Sequence, residues 1–145
     1  MFGAIVREQE VKEIVNSALS SYSTLLNVFE KFTKMCCDAF KVQNFNGAIK
    51  CIGSDTFLIM GFVITASFKP VSDDSGKISG RITFKHETTE LLRIMFDVSG
   101  KVLDQTCSDT PIVSLHEVNG FNSTVYSMIH KFINSNIMKD KQNGN

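Results

Sequence analysis

Apolar residues at alternating spacings of four and three run through the first third of the chain. They form a row from Val11 to Ala39 that is sustained for about four heptads, which is the pattern of one helix face. No proline or glycine lies between Gly3 and Gly47, so nothing in this stretch forces a break. The row consists of Val11, Val15, Ala18, Tyr22, Leu25, Phe29, Phe32, Cys36 and Ala39, and it is widened on its flanks by Ile14, Leu19, Leu26 and Phe40.

The length of this predicted helix leaves two alternatives. A helix over about residues 8–41 would be ~50 Å long, whereas a compact domain of this size has a radius of gyration of only ~13–15 Å. Either the helix is broken near residues 20–24, where serine and threonine are mediocre helix formers, or its end projects and packs on a second subunit. The second alternative predicts a homodimer, with interface candidates Val15, Tyr22, Leu25, Phe29 and Phe32.

The hydrophobic period changes to two in the middle of the chain, which predicts strands. Pro70 is expected to end the second strand because it cannot donate to a ladder, and Ser99-Gly100 is expected to form a two-residue hairpin turn. Residues 87–96 allow either a strand or a short helix, since a threonine followed by glutamate resembles a capping box; the tight turn after them favours a strand. The predicted strands cover residues 46–52, 56–69, 80–87, 91–98, 101–106 and 111–118.

Helical spacing returns near the C-terminus and completes the predicted fold. The apolar residues there lie on one stripe from Phe121 to Ile133, and Asn119 or Asn122 is placed to cap its start. Short connections imply antiparallel neighbours, and two amphipathic helices need one sheet face to cover. The sequence therefore predicts one two-layer α+β domain over residues 1–138, with a long N-terminal helix, an antiparallel sheet of five to six strands and a C-terminal helix, followed by a polar tail at 139–145.

Composition and charge narrow the classes of partner. The 145 residues are 43% hydrophobic and 21% charged, which is typical of a soluble globular domain. Fifteen basic and fifteen acidic residues cancel, and only three of the basic residues are arginine, so no nucleic-acid partner is expected. The most apolar stretch, residues 57–66, has about half the ~20 residues that a membrane helix needs. No membrane association is predicted, and the expected location is cytoplasmic.

The adjacent cysteines Cys36 and Cys37 first suggest a metal or redox site. The other cysteines lie 15 and 71 residues after Cys36, which lacks the Cys-x₂-Cys spacing of structural zinc sites. Neighbours on a helix point ~100° apart, and a disulfide between them would strain the backbone. We therefore expect no metal and no cofactor, a buried packing role for Cys36, and a partly exposed Cys37 without a role.

No catalytic motif is present, and no catalytic residue is predicted. The sequence favours a small cytosolic, non-enzymatic interaction module of the adaptor, inhibitor or accessory type, as a homodimer with a possible protein partner. One alternative is a protein that binds a small apolar ligand between a curved sheet and its helices. A second alternative is an enzyme that uses the same pocket, with His86 or a carboxylate as general base. The candidate pocket residues are Phe57, Met60, Phe62, Phe84, His86, Met95 and Phe96.

Overall fold

Two helices and six strands make up the structure, which is a computed structural model that describes residues 2–43, 47–106 and 112–139. The strands form one antiparallel sheet in the order β1-β2-β3-β4-β5-β6, so each strand pairs with its neighbours in sequence. The elements are α1 (Phe2–Gln43), β1 (Ile49–Cys51), β2 (Thr56–Ile59), β3 (Phe62–Ser72), β4 (Ile78–His86), β5 (Thr89–Phe96), β6 (Val102–Gln105) and α2 (Val118–Asn134).

Both helices pack on the same face of the sheet, which confirms the predicted α+β arrangement. Strand β4 shows this layering: Ile82 and Phe84 are buried under the helices. On the opposite face Arg81 is half-buried, Thr83 is buried and Lys85 is exposed. Residues 87–96 contain strand β5, as the tight turn after them indicates.

Helix α1 is unbroken, so the first of the two alternatives for residues 20–24 is wrong. Its 42 residues correspond to a length of ~63 Å. Among its described side chains, core residues begin at Leu25 and include Phe32 and Cys36. Between residues 7 and 24 no side chain is buried. The single helix therefore extends well beyond the part of the sheet that it covers.

Phenylalanine rings connect the sheet to both helices in the core. Phe57 lies 5.0 Å from Phe40 of α1, measured between ring centroids, and Phe62 lies 5.2 Å from Phe132 of α2. The helices touch each other through Phe32 and Phe121, at 5.6 Å. A fully buried side chain of this kind stabilises the fold by ~1.5–3 kcal/mol, so these rings fix both helices to the sheet.

The apolar run at residues 56–69 forms two strands, not the single strand that the sequence predicts. Strands β2 and β3 are joined by a two-residue turn at Met60 and Gly61, with φ of 50° and 85°. A non-glycine residue with positive φ is uncommon, so Met60 does not indicate a turn by its residue type. Because its neighbours are also apolar, the sequence looks like one continuous strand. Gly61 was the one local signal of the reversal.

Pro70 does not end strand β3, which continues to Ser72 with Pro70 paired opposite Gly80. Strand β2 pairs with β3 only as far as Thr65. Beyond that residue β3 has a neighbour on one side only, and an edge position tolerates a residue that lacks an N–H. The prediction that the strand stops at the proline was therefore wrong.

Two hairpin tips share the same turn, Asp-x-Ser-Gly-Lys, at residues 73–77 and 97–101. Asp73 Oδ1 accepts hydrogen bonds from the Ser75 N–H (2.9 Å), the Ser75 hydroxyl (2.6 Å) and the Lys77 N–H (3.0 Å). The equivalent distances in the second turn are 2.9, 2.5 and 3.1 Å. Each turn is a three-residue loop that ends with glycine at φ 85°, so the predicted two-residue turn at Ser99-Gly100 was one residue too short.

The segment before α2 is not the strand that the sequence predicts at residues 111–118. In its described part it makes a single bridge, between Lys101 and Ser114, while Ile112 and Leu115 are buried in the core. Helix α2 begins after Glu117, so Asn119 and Asn122 lie within the helix and neither is its N-cap residue. Of the predicted tail, only Lys139 lies within the described residues.

Candidate functional site

The N-terminal half of α1, which we call the arm and define as residues 7–24, carries a row of exposed apolar side chains. Helical spacing places Val11, Val15 and Tyr22 on the same side as Phe29, so the row continues the stripe that is buried further along the helix. The exposed fractions lie between 40% and 66% for Val11, Ile14, Val15, Leu19 and Tyr22.

This row is large for the surface of a small monomer. We estimate that its side chains expose on the order of 500 Å² of apolar surface, near the upper end of the ~300–600 Å² found for the largest patch on ordinary monomers. Exposed large apolar patches commonly mark interaction sites. We call these five residues the arm stripe.

The interface candidates from the sequence fall into two groups. Leu25, Phe29 and Phe32 are buried in the core of the chain itself, where Phe29 stacks on Phe68 at 5.5 Å. Val15 and Tyr22 lie on the arm, and the Tyr22 ring is 5.8 Å from Phe68, at the boundary between core and arm. Only the second group is available to a partner, joined by Ile14 and Leu19 from the flanks of the row.

An open cleft of about 840 Å³ separates the arm from the turn between β3 and β4. Its apolar lining comes from Ile14, Ala18 and Ile78, and its rim carries Glu10, Glu13 and Asp74. The cleft therefore extends the arm stripe sideways towards the sheet, with carboxylates around it. Hydrogen bonds from the Ser75 hydroxyl and the Lys77 N–H lower the pKa of Asp73 beside this cleft, so the turn is held by an ionised carboxylate.

The seven pocket candidates do not line one common site. Phe57, Phe84 and Phe96 are fully buried in the core. Met60 is exposed in the β2–β3 turn, and Met95 lies on the sheet face away from the helices, opposite Arg81 and Asp104.

Phe62 and His86 are the two candidates that meet, edge to face, at 5.6 Å between ring centroids. They border a second open cleft of about 860 Å³ at the end of α2, together with Glu87, Asn134 and Lys139. This cleft is mostly polar at its rim, unlike the apolar pocket that the sequence suggests.

Cys37 is buried and joined to Cys51 by a disulfide, with 5.7 Å between their Cα atoms, so the prediction of a partly exposed Cys37 without a role was wrong. Cys37 lies on the side of α1 that faces β1, where Cys51 points towards the same layer as Ile49. Only the tertiary fold brings these positions together, because 14 residues separate them in sequence.

The expected packing role of Cys36 is confirmed by its complete burial, which also raises the pKa of its thiol. Cys107 lies outside the described residues.

Within the described part of the chain, no three histidine, cysteine, aspartate or glutamate side chains converge in a way that would hold a metal ion. Neither described helix combines the length and the apolar character that crossing a membrane requires.

Comparison with known proteins adds no relative: no family model matches the chain, and neither a curated protein nor a solved structure is significantly similar to it. Within the described residues, no element covers the arm stripe, so it is a candidate docking surface for another apolar surface.

Proposed function

We propose that this protein is a small, non-enzymatic interaction module of the adaptor, inhibitor or accessory type that forms a homodimer through the arm stripe. The observation that carries the proposal is the exposure of Val11, Ile14 and Leu19 on a helix that is otherwise buried along the same side. Leaving such side chains in water forgoes ~1.5–3 kcal/mol each relative to burial.

A second copy of the chain is the occupant that suits this surface best. Two arm stripes placed together would bury about 1,000 Å², which is the lower limit for a specific interface. The spacing of four and three along the stripe is the one that lets two helices pack side by side. The nearest described ion pair, Lys12 to Glu8 at 3.8 Å, lies within one helix on its exposed flank and leaves the stripe apolar.

A charged substitution within the stripe tests the proposal. Leu19→Glu places a carboxylate in both copies of the interface, and we expect the dimer to weaken at least about 100-fold, since each factor of ten corresponds to ~1.4 kcal/mol. Ser20→Glu is the matched control, because Ser20 is the next residue along and faces away from the stripe. Light scattering after size-exclusion chromatography measures the mass of both variants.

Two results would argue against the dimer. One is equal masses for the two variants; the other is a monomeric wild type. Circular dichroism of both variants shows whether the helix itself is retained, which separates loss of the interface from loss of the fold.

The alternative functions have less support. A small-ligand site of the predicted kind needs space beside Phe57, Phe84 and Phe96, and these rings are packed in the core. Native mass spectrometry of the purified protein would reveal a retained ligand. An enzyme built around His86 rests on a single histidine, which lies edge-on to the Phe62 ring.

Our proposed location is the cytoplasm, although the Cys37–Cys51 disulfide is a bond more typical of oxidising compartments. In the cytoplasm we expect this pair as two thiols. Quenching cells in acid and alkylating the thiols in denaturant tests the location: a chain labelled at Cys37 and Cys51 agrees with it, and an unlabelled pair contradicts it.

A further inference from the structure

The sheet face that the helices do not cover carries a group of cations that the neutral composition hides. We call it the outer face and define it by the outward residues of β3, β4 and β5. Its central members are Lys69, Arg81, Lys85 and Arg93, which are half-buried or exposed. Two of the three arginines of the chain are among them.

Strand register makes these four residues neighbours. Lys69 lies directly opposite Arg81. Arg93 lies opposite Thr83 and is therefore diagonal to both Arg81 and Lys85. Directly opposed residues have Cβ atoms ~4.5–5.5 Å apart and diagonal ones ~7–8 Å apart. The four cations thus form one continuous patch across the three central strands.

Few carboxylates balance this patch within the described residues. Glu90 reaches Arg93 at 3.5 Å and lies directly opposite Lys85 in the strand register, and Asp104 lies on the last strand opposite Met95. Lys69, Arg81 and Lys85 form no ion pair with any described side chain. Like charges placed opposite one another on a sheet are destabilising, so the pairing of Lys69 with Arg81 weakens the isolated chain. An anionic partner would remove that cost.

The surrounding side chains favour carboxylates over nucleic acid. The phenylalanines of these strands, including Phe62, Phe68 and Phe84, all contact the core or the helices. Sheets that bind single-stranded nucleic acid offer outward aromatic rings on which bases stack. The neighbours of the patch are instead the hydroxyl residues Ser67 and Thr83. Arginine pairs with carboxylates through two parallel hydrogen bonds.

We propose that the outer face binds an acidic segment of a partner protein, with Arg81 and Arg93 pairing its carboxylates and Lys69 and Lys85 adding charge on either side. This surface lies opposite the helix layer and is separate from the arm stripe, so the proposal stands whether or not the arm dimerises. A dimer joined through the arms would present two such faces.

The test uses a fluorescent decapeptide of glutamate as probe, with single-stranded oligothymidylate of equal charge for comparison. We expect fluorescence anisotropy to show binding of the peptide that weakens with salt. Arg81→Gln/Arg93→Gln should reduce the affinity about tenfold or more. Lys31→Gln/Lys34→Gln removes the same charge from exposed positions on α1 and should change it less than about twofold.

Backbone amide shifts of the wild-type protein provide a readout that needs no variant. On adding the peptide, the shifts should concentrate in β3, β4 and β5. The proposal is overturned by no binding, by equal losses in the two double variants, by shifts confined to the helices, or by tighter binding of the oligonucleotide at the same patch.

Discussion

Removal of the disulfide between Cys37 and Cys51 should make the chain measurably less stable. The bond closes a loop of about 15 residues that joins the C-terminal part of α1 to strand β1. In the chain-entropy account a loop of that length corresponds to ~3 kcal/mol at 25 °C. Strand β1 has three residues and pairs with one neighbour, β2, so it depends on this link more than a central strand would.

The expected loss can be measured by chemical or thermal denaturation. At ~2–4 °C per kcal/mol for a domain of this size, Tm should fall by roughly 10 °C. Cys37→Ala/Cys51→Ala and the wild type with reductant should show the same decrease, because both lack the bond. Reductant added to the double variant should have no effect, since Cys36 forms no bond to be broken.

The reasoning fails if reductant leaves the stability of the wild type unchanged although both thiols become titratable. That result would mean that the loop is equally constrained with and without the bond. If reductant also lowers the Tm of the double variant, the decrease comes from a process other than loss of this disulfide.

Three further predictions follow from the packing and the turns. Phe84→Ala removes a fully buried ring and should lower the free energy of unfolding by ~3–5 kcal/mol, measured in urea. Gly80→Ala should cost ~1–3 kcal/mol, because a Cβ there would clash with the buried Phe96 ring, whereas Gly53→Ala has no contact under 3.9 Å and should be nearly neutral. Burial raises the pKa of Asp97, but hydrogen bonds from the Ser99 hydroxyl and the Lys101 N–H outweigh it, so the net pKa is lowered. A lowered pKa in the folded state stabilises the fold at pH values above the unfolded pKa of ~3.9, and this stabilisation is lost as pH falls through the folded pKa. Asp97→Asn should therefore lower the free energy of unfolding at neutral pH. In acid, its stability should become equal to that of the wild type.

Each of these three has a clear contrary result. If Phe84→Ala lowers the free energy of unfolding less than a substitution at an exposed position does, the ring is not part of the core. Equal effects at Gly80 and Gly53 would contradict the close approach of Phe96. If the difference in stability between Asp97→Asn and the wild type grows towards low pH, the hydrogen bonds do not lower the pKa of Asp97.

The sequence predicted those features that depend on local pattern. The spacing of four and three defined α1, and alternation around Ile82 and Phe84 defined the buried face of β4, because helix and strand periods are properties of neighbouring residues. It also indicated that α1 was too long for one domain. What it left open was how far the helix would be covered, since that depends on where the sheet ends.

Features that depend on contacts across the fold were missed. The position of Cys37 on the helix gives no sign of its partner, which lies on a strand. The turn at Met60 was hidden by apolar neighbours on both sides. The cationic patch could not be found from net charge, because the strand register, rather than the composition, brings Lys69 and Arg81 together.

The most direct test of the central claim is to detect contacts between two copies at the arm stripe. Isotope-labelled and unlabelled chains are mixed, and filtered nuclear Overhauser spectra record only contacts between different copies. We predict intermolecular signals from the methyl groups of Val11, Val15 and Leu19 and from the Tyr22 ring. A mixed sample without such signals, with mass equal to the 16.2 kDa single chain, or with signals only from the sheet, would contradict the proposed dimer.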